Sequence, residues 1–327
     1  MRATSLTRRG LVALIPSLIA APALAQPAWA PTRPIRVIVP FPPGQANDIF
    51  ARLAADKASE LRWPQHRMVV ENRAGAGGTI GMQAGAQAAP DGHTLVFGSL
   101  ATLAINPAIM RNLPYDPARD FAPVIRIFEG PLVVVVPARS PYRDLAALAQ
   151  RAREGGLTYA SSGPGSTQHM GAELFLQGIG ATATHVPYRG SGPALTDLAA
   201  GAVDFAFEST ASAMPLVRSG LLRALAISSA APWPGIEAPT VADAAALPGY
   251  TVYGSGGFLV PAGTPAPVVE ALYQGLAAAM ADPTLRERVA ATGTTAIAEG
   301  PDAFAGFIRD ELTKWRQVAQ RGAIRLE

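Results

Sequence analysis

The chain has no cysteine among its 327 residues. Disulfides, thiolate metal sites and a cysteine nucleophile are excluded together. The lack also suits an oxidising compartment, where stray thiols are a liability. Charge is scarce as well: 16% of residues are charged, against 49% hydrophobic. Such a chain packs a core and holds no disordered bulk. Recognisable catalytic frames are missing too. The proline-rich turn at 40–48 has no Gly-Lys-Ser/Thr after it and no G-x-G-x-x-G within it, so it is neither a P-loop nor a dinucleotide fingerprint. Ser99, Ser162, Ser166, Ser191 and Ser255 lack the G-x-S-x-G frame of a nucleophile elbow. His66, His93, His169 and His185 show no H-E-x-x-H spacing. No cofactor and no metal are expected. A triad assembled from remote positions stays open, so an exported hydrolase or lyase is kept as an alternative.

The first 25 residues are expected to be a signal peptide. Arg2, Arg8 and Arg9 give a basic start, LVALIPSLIAAPALA an apolar core, and Ala23-Leu24-Ala25 small residues before a cut ahead of Gln26. Pro16 and Pro22 interrupt the run, which is too short for a membrane span. Arg8-Arg9 leaves the export route between the Sec and twin-arginine systems. A periplasmic destination is expected. The precursor has 27 basic and 24 acidic residues, and residues 1–25 hold three arginines and no acid. The mature chain is therefore balanced at 24 of each. No basic stripe remains for nucleic acid.

After the signal, strand and helix patterns alternate. IRVIVP (35–40), MVVE (68–71) and HTLVFG (93–98) are predicted strands. A helix over 46–61 separates the first two, with Ile49, Phe50, Leu53 and Leu61 expected inward and Lys57 and Glu60 outward. The turn NRAGAGGTIG and a helix through 82–89 precede the third. This order predicts a parallel sheet with helices on both faces. FAPVIRIFEGPLVVVVP (121–137) is one long strand that leaves a first domain for a second. A second α/β series follows, with strands at 157–161, 184–188, 203–208 and 222–228, and helices at 144–153, 170–179, 192–201 and 214–220. TVYGSGGFLVPAGTP (251–265) carries the chain back, and helices at 266–281, 283–293 and 301–322 end it, with Phe307 and Trp315 as core. The layout is a first domain of 31–128 plus 253–327, a second of 129–252, and a two-strand hinge between them. Two α/β lobes on such a hinge form a clamp.

Ligands of open parallel sheets sit beyond the carboxyl ends of the strands. The loops there are 41–48, 99–107, 161–169, 189–193 and 208–212. They are rich in Gly, Ser, Thr and Pro, and their ionisable residues are Asp48, His169, Arg189 and Glu208. Donor-rich, charge-poor loops suit a carboxylate held by backbone dipoles and helix N-termini. Plainer roles stand beside this one. Asp48 reads equally as a helix cap, as do Ser166 and Thr167. His169 reads as a structural ring, Arg189 as half of a surface ion pair, and Glu208 as a loop-ordering acid. The 72–81 turn reads as close packing as readily as an anion turn.

The ordered set of segments resembles the Bug family of extracytoplasmic solute receptors, which serve tripartite tricarboxylate transporters. RPIRVIVPFPPG (33–44) with Asp48, VVENRAGAGGTIG (69–81), PDGHTLVFGS (90–99), YASSGPGSTQHMGAELF (159–175) and HVPYRGSGPALTDLAAGAVDFAF (185–207) carry the likeness. NPAIMRNLPYDPARDFAPV (106–124), PAGTP (261–265) and the last helix with Trp315 complete it. The resemblance implies a two-lobed type II periplasmic-binding-protein fold, α/β in class. It also implies a cleft for a small di- or tricarboxylate, an acidic amino acid or an aromatic acid, and no enzymatic step. The first lobe would grip a carboxylate through Phe41, Pro43, Gly44, Gln45 and Asp48, with Ser99 and Thr102. The second would offer Ser162, Gly165, Ser166, Thr167, His169, Tyr188, Arg189, Phe207 and Glu208. Membrane components of a transporter are the implied further partners of a monomeric receptor; a ligand sensor for a membrane kinase is the alternative. Three positions depart from the usual family pattern: Gln45 replaces a glycine, Glu208 replaces an aspartate, and Ser255-Gly256-Gly257 runs where a tryptophan is common.

Overall fold

The computed structural model describes residues 29–322. The expected signal peptide lies outside them. β1 (Ile35–Val39) is buried along nearly its whole length, as a strand covered on both faces must be. α1 (Ala46–Arg62) follows it, then β2 (Met68–Asn72), α2 (Thr79–Ala86) and β3 (Thr94–Ser99). β1 pairs in parallel with both β2 and β3. The inward face of α1 differs from the sequence expectation. Beside Phe50, as expected, its buried residues are small or polar (Ala46, Asp48, Ala51, Ala54, Ala55, Ala58 and Ser59), while Leu61 is 46% exposed and Ile49 and Leu53 are half-buried. Small side chains let the helix lie close on the sheet, and that proximity, not side-chain size, selects the buried face.

A π-helical turn at Ala101–Ile105 runs into α3 (Asn106–Ile109), and β4 (Phe121–Pro137) spans 17 residues as the pattern predicts. Beyond it lie α4 (Leu145–Arg153), β5 (Thr158–Ser161), α5 (Thr167–Gly178), β6 (Thr184–Pro187), α6 (Ser191–Ala200) and β7 (Phe205–Ser209). α7 (Thr210–Arg218), β8 (Leu222–Ile227) and α8 (Val241–Ala244) complete this series. α7 begins four residues before Met214, and α8 is a single turn that the sequence pattern does not announce. β9 (Tyr253–Pro261) returns the chain, and α9 (Ala266–Ala281), α10 (Pro283–Ala290), β10 (Thr295–Glu299) and α11 (Pro301–Gly322) end it. β10 also went unpredicted. Ile297 is its one large apolar side chain, and the segment becomes a strand by pairing antiparallel with β4, Ala296 opposite Phe128.

The strands run in the order β2-β1-β3-β9-β4-β7-β5-β6, with β8 and β10 also on β4. The first half of β4 pairs with β9 and β10, and its second half, from Leu132, with β7 and β8. One strand therefore belongs to two lobes, and the chain crosses between them at β4 and beside Val252–Tyr253. The first lobe's core gathers Phe50, Phe97, Phe128 and Phe258; the second gathers Tyr159, Phe175, Phe205 and Phe207. Trp315 of α11 is fully buried in the second of these clusters, so the terminal helix fastens the lobes together. Phe307 is half-buried, with the Arg126 guanidinium 4.1 Å over its ring.

Candidate ligand-binding cleft

The turn after β1 is shaped by Gly44, whose φ of +79° is a left-handed conformation that glycine adopts without strain. Asp48 holds this turn. Its carboxylate accepts from the Gly44 N–H at 2.9 Å, Arg52 Nε at 2.9 Å and Asn72 Nδ2 at 2.8 Å. Asn72 also donates to the Phe41 carbonyl at 2.9 Å, tying the turn to β2. Burial by itself would raise the Asp48 pKa, but the hydrogen bonds from Arg52, Asn72 and Gly44 outweigh it and hold the carboxyl below its ordinary value. Asp48 thus points into the protein. Gly44 and Pro43 are exposed, and none of the three lines the cleft.

The inner part of the cleft lies between the lobes. Its walls are the first turns of three helices: Gln45 to Asn47 at α1, Ser166 to Gln168 at α5, and Ser209 to Ala211 at α7. Ser99, Ser255 and Thr294 add hydroxyls, and Phe41, Phe50 and Phe128 add apolar surface. No lining residue is charged. The space between them is narrow and partly open to solvent. At α5 the N-cap Ser166 accepts from the His169 N–H at 3.2 Å. At α1 and α7 the N-cap residues Gln45 and Ser209 make no side-chain cap. The first N–H groups of a helix have no intrahelical partner and carry the positive end of its dipole. Two uncapped helix starts bordering one uncharged space favour negative charge there.

An outer part shares Phe41, Gln45 and Ser166 with the inner one. It is lined by residues 74–78, Ser162 to Pro164, and Tyr188 to Gly190. The glycine turn borders the outer part and is closely packed at its far end. Gly75, Gly77 and Gly78 have positive φ and line the space, while a Cβ on Gly81 would meet the Arg73 carbonyl at 2.8 Å. Arg189 is exposed at this outer part, and Tyr188 donates to Asp197 at 2.7 Å.

Of the residues singled out in sequence, Phe41, Gln45, Ser99, Ser162, Ser166, Thr167, Tyr188 and Arg189 come together in the cleft. Thr102 does not line it; it is fully buried, and its hydroxyl bonds the Ser99 N–H at 3.0 Å. Phe207 is core, because its strand position faces α5. Gly165 is turned away, its N–H donating to His169 Nδ1 at 3.3 Å. Glu208 lies buried behind the wall, accepting from Gln168 Nε2 at 2.9 Å and the Ser209 N–H at 2.6 Å. Burial raises its pKa. It orients two lining residues and is not itself one. Asn47, Gln168, Ser209, Thr210, Ser255 and Thr294 were missed. Ser209 and Thr210 sit in a loop already picked out by its place after a strand; Thr294 carried no signal.

His169 also lies outside the cleft. It stacks on His185 with ring centroids 4.2 Å apart, and His185 stacks on Tyr159 at 4.9 Å. Ser161 Oγ lies 2.6 Å from His185 Nε2, and the Tyr159 hydroxyl donates to Glu173. Burial pushes both histidines down to about 4, with the neighbouring His169 adding to the effect on His185. The folded state therefore stays unprotonated where the unfolded chain takes up protons near pH 6.5, and stability falls as pH drops from there toward 4. The expected loss between pH 7 and pH 5 is about 2 kcal/mol for His169 alone, and Glu208→Gln, which removes the opposing carboxyl raised by burial, isolates it. Urea titrations at the two pH values measure it; equal midpoints would refute it.

At the hinge, Ser255 Oγ accepts from Arg126 Nη1 at 3.1 Å and donates to the Phe128 carbonyl at 3.0 Å. Arg126 is buried and paired with Glu299 at 2.7 Å and Glu129 at 2.7 Å. Its charge is neutralised there and does not reach the cleft. Across the cleft Thr210 Oγ1 donates to the Gly293 carbonyl at 3.2 Å, and Arg218 donates to the Ala291 carbonyl at 2.8 Å.

Residues 50–324 match the family described as "Tripartite tricarboxylate transporter family receptor". The chain is 37% identical over 327 residues to Protein BugT of Bordetella pertussis, covering 97% of this chain and 98% of that one. Its fold matches the R. palustris protein Rpa4515 solved with adipate, at a TM-score of 0.86 and 34% identity, over 90% of this chain and 99% of the other. It also matches MatC from Rhodopseudomonas palustris with bound malate, at 0.83 and 32%, over 88% and 99%. These neighbours are ligand-binding proteins, and the architecture is theirs: an α/β, two-lobed periplasmic-binding-protein fold. No helix among the described residues is long and apolar enough to cross a membrane. The family is one of substrate-binding receptors, its solved neighbours here hold ligands rather than catalyse reactions, and the chain belongs to the tripartite tricarboxylate transporter receptor family.

Proposed function

We propose that this protein is a periplasmic receptor that captures a small dicarboxylate between its lobes and delivers it to the membrane components of a tripartite transporter. The carrying observation is the pair of uncapped helix starts, α1 and α7, that face each other across an uncharged cleft. One carboxylate is received by the N–H groups at Ala46 and Asn47, and the other end meets Thr167, Gln168, Ser209 and Thr210. Outer contacts come from Ser162, Tyr188 and Arg189. Residues 31–128 with 253–327 and residues 129–252 close as two domains about the crossings at β4 and Val252–Tyr253. The receptor acts as a monomer. Adipate and malate in two structural neighbours support the choice. With N–H dipoles as the grip, no basic side chain is required.

The test is a thermal melt of ligand-stripped protein against di- and tricarboxylates, acidic amino acids and aromatic acids. A dicarboxylate at about 100 times its Kd should add ~2.7 kcal/mol of stability, roughly 5 °C or more. Flat curves with every dicarboxylate would overturn the reading.

A further inference from the structure

Gln45 sits at the seam of the cleft and lines both of its parts. Only 5% of the residue is exposed. Its side-chain carbonyl oxygen is buried and has no hydrogen-bond partner. A buried carbonyl left in that state is costly, and native proteins rarely tolerate one without a reason.

The local geometry supplies the reason. Gln45 is the N-cap of α1, yet its side chain does not cap. A serine or asparagine there would turn its oxygen back onto the first N–H groups of the helix. The glutamine oxygen caps none of them and stays buried and unbonded, on a side chain that lines the cleft. Two unmatched features then lie side by side: N–H donors of α1 and a lone acceptor, Gln45 Oε1. A plain carboxylate satisfies the donors and leaves the acceptor empty. A carboxylate with an O–H or N–H on its neighbouring carbon satisfies both.

We propose that Gln45 determines specificity, selecting dicarboxylates that carry a hydroxyl or amino group next to the carboxylate held at α1. The proposal rests on the reading of the cleft as a dicarboxylate site and narrows it. Gln168 faces the inner cleft from the other lobe, its Nε2 held by Glu208 at 2.9 Å, which fixes the orientation of its amide.

The experiment is calorimetric titration of ligand-stripped protein with succinate, malate and aspartate. These differ only in hydrogen, hydroxyl or amino group on one carbon. Malate or aspartate is expected to bind at least about tenfold tighter than succinate, because succinate leaves Oε1 unpaired; which of the two wins distinguishes the hydroxyl from the amine. Gln45→Met keeps the side-chain length and removes the acceptor. It is expected to bring the preferred ligand and succinate to within about twofold of each other. Gln45→Gly, tolerated at an N-cap, is the second variant should the first fail to fold, with the same expectation. Equal or tighter binding of succinate by the natural protein, or a preference that both variants retain, would overturn the proposal while leaving the dicarboxylate reading intact. No binding of any of the three would overturn this proposal as well, the wider reading then resting on the longer dicarboxylates of the thermal melt.

Discussion

Thr167→Asp is expected to weaken dicarboxylate binding by about 100-fold or more while leaving the melting temperature unchanged or higher. Thr167 is the first residue of α5, lines the inner cleft and is 8% exposed. A carboxylate in the first turn of a helix is favourable for that helix by roughly 0.3–1 kcal/mol. The same charge faces the place proposed for the ligand. Two like charges about 5 Å apart in an effective dielectric near 20 repel by ~3 kcal/mol, which exceeds two decades of affinity. The introduced group would also take the N–H donors a ligand needs. Thr167→Asn has nearly the same shape without the charge and is expected to lose much less. Calorimetry and a thermal melt on the same samples separate the two effects. If Thr167→Asp binds dicarboxylate as well as the natural protein does, the ligand is not held where α1, α5 and α7 converge.

The second large effect is expected at the hinge, where two glycines of β9 should respond in opposite ways to the same change. Gly257 pairs with Arg126 of β4, and a Cβ there would lie 2.1 Å from the Ile125 carbonyl oxygen and 2.7 Å from the Arg126 Cα. These are backbone atoms, so no rotamer change relieves the clash. The strands must part at the place where the ladder register already shifts, between Arg126 and Phe128. Overpacking costs about 1–3 kcal/mol where side chains can yield; here ~3 kcal/mol or more is expected for Gly257→Ala. Gly254 is three residues away and lines the cleft. Its added Cβ would meet the Gly130 carbonyl at 3.6 Å, an ordinary contact. Gly254→Ala also reduces the freedom of the unfolded chain, so it should be neutral or stabilise by about 0.5 kcal/mol. Urea unfolding of both variants decides the matter. A Gly257→Ala protein as stable as the natural one would mean that β4 and β9 are not as close as described.

Periodicity and turn chemistry made most of the elements legible. β4, α9 and α11 match their predicted ranges, because long apolar runs or clear helix stops leave few alternatives. Short elements were harder. β10 and α8 owe their form to a neighbour, so a local pattern does not reveal them. In α1 the period was right but the buried face was not, since alanines take the inside wherever a helix must lie close to its sheet.

The candidate site was legible as loops and only partly as residues. Asp48 stood out as an acid at a helix start, yet Arg52 and Asn72 draw it away from the cleft, and Asn72 is 24 residues distant. Glu208 stood out as an acid at a strand end, yet it supports Gln168 from behind. His169 faces His185 and not a ligand. Conspicuous side chains are often conspicuous because the interior needs them.

The sequence by itself determined the fold class, the family, the loops at the strand ends and the lack of any recognisable catalytic motif. Those features follow from local patterns and from motifs kept in order along the chain. Only the tertiary structure decided which residue of each loop faces the cleft. A helix turns once in about 3.6 residues, so Gln45 and Asp48 start the same helix and point to different environments. The partners that settle the matter come from other strands, brought near by folding alone.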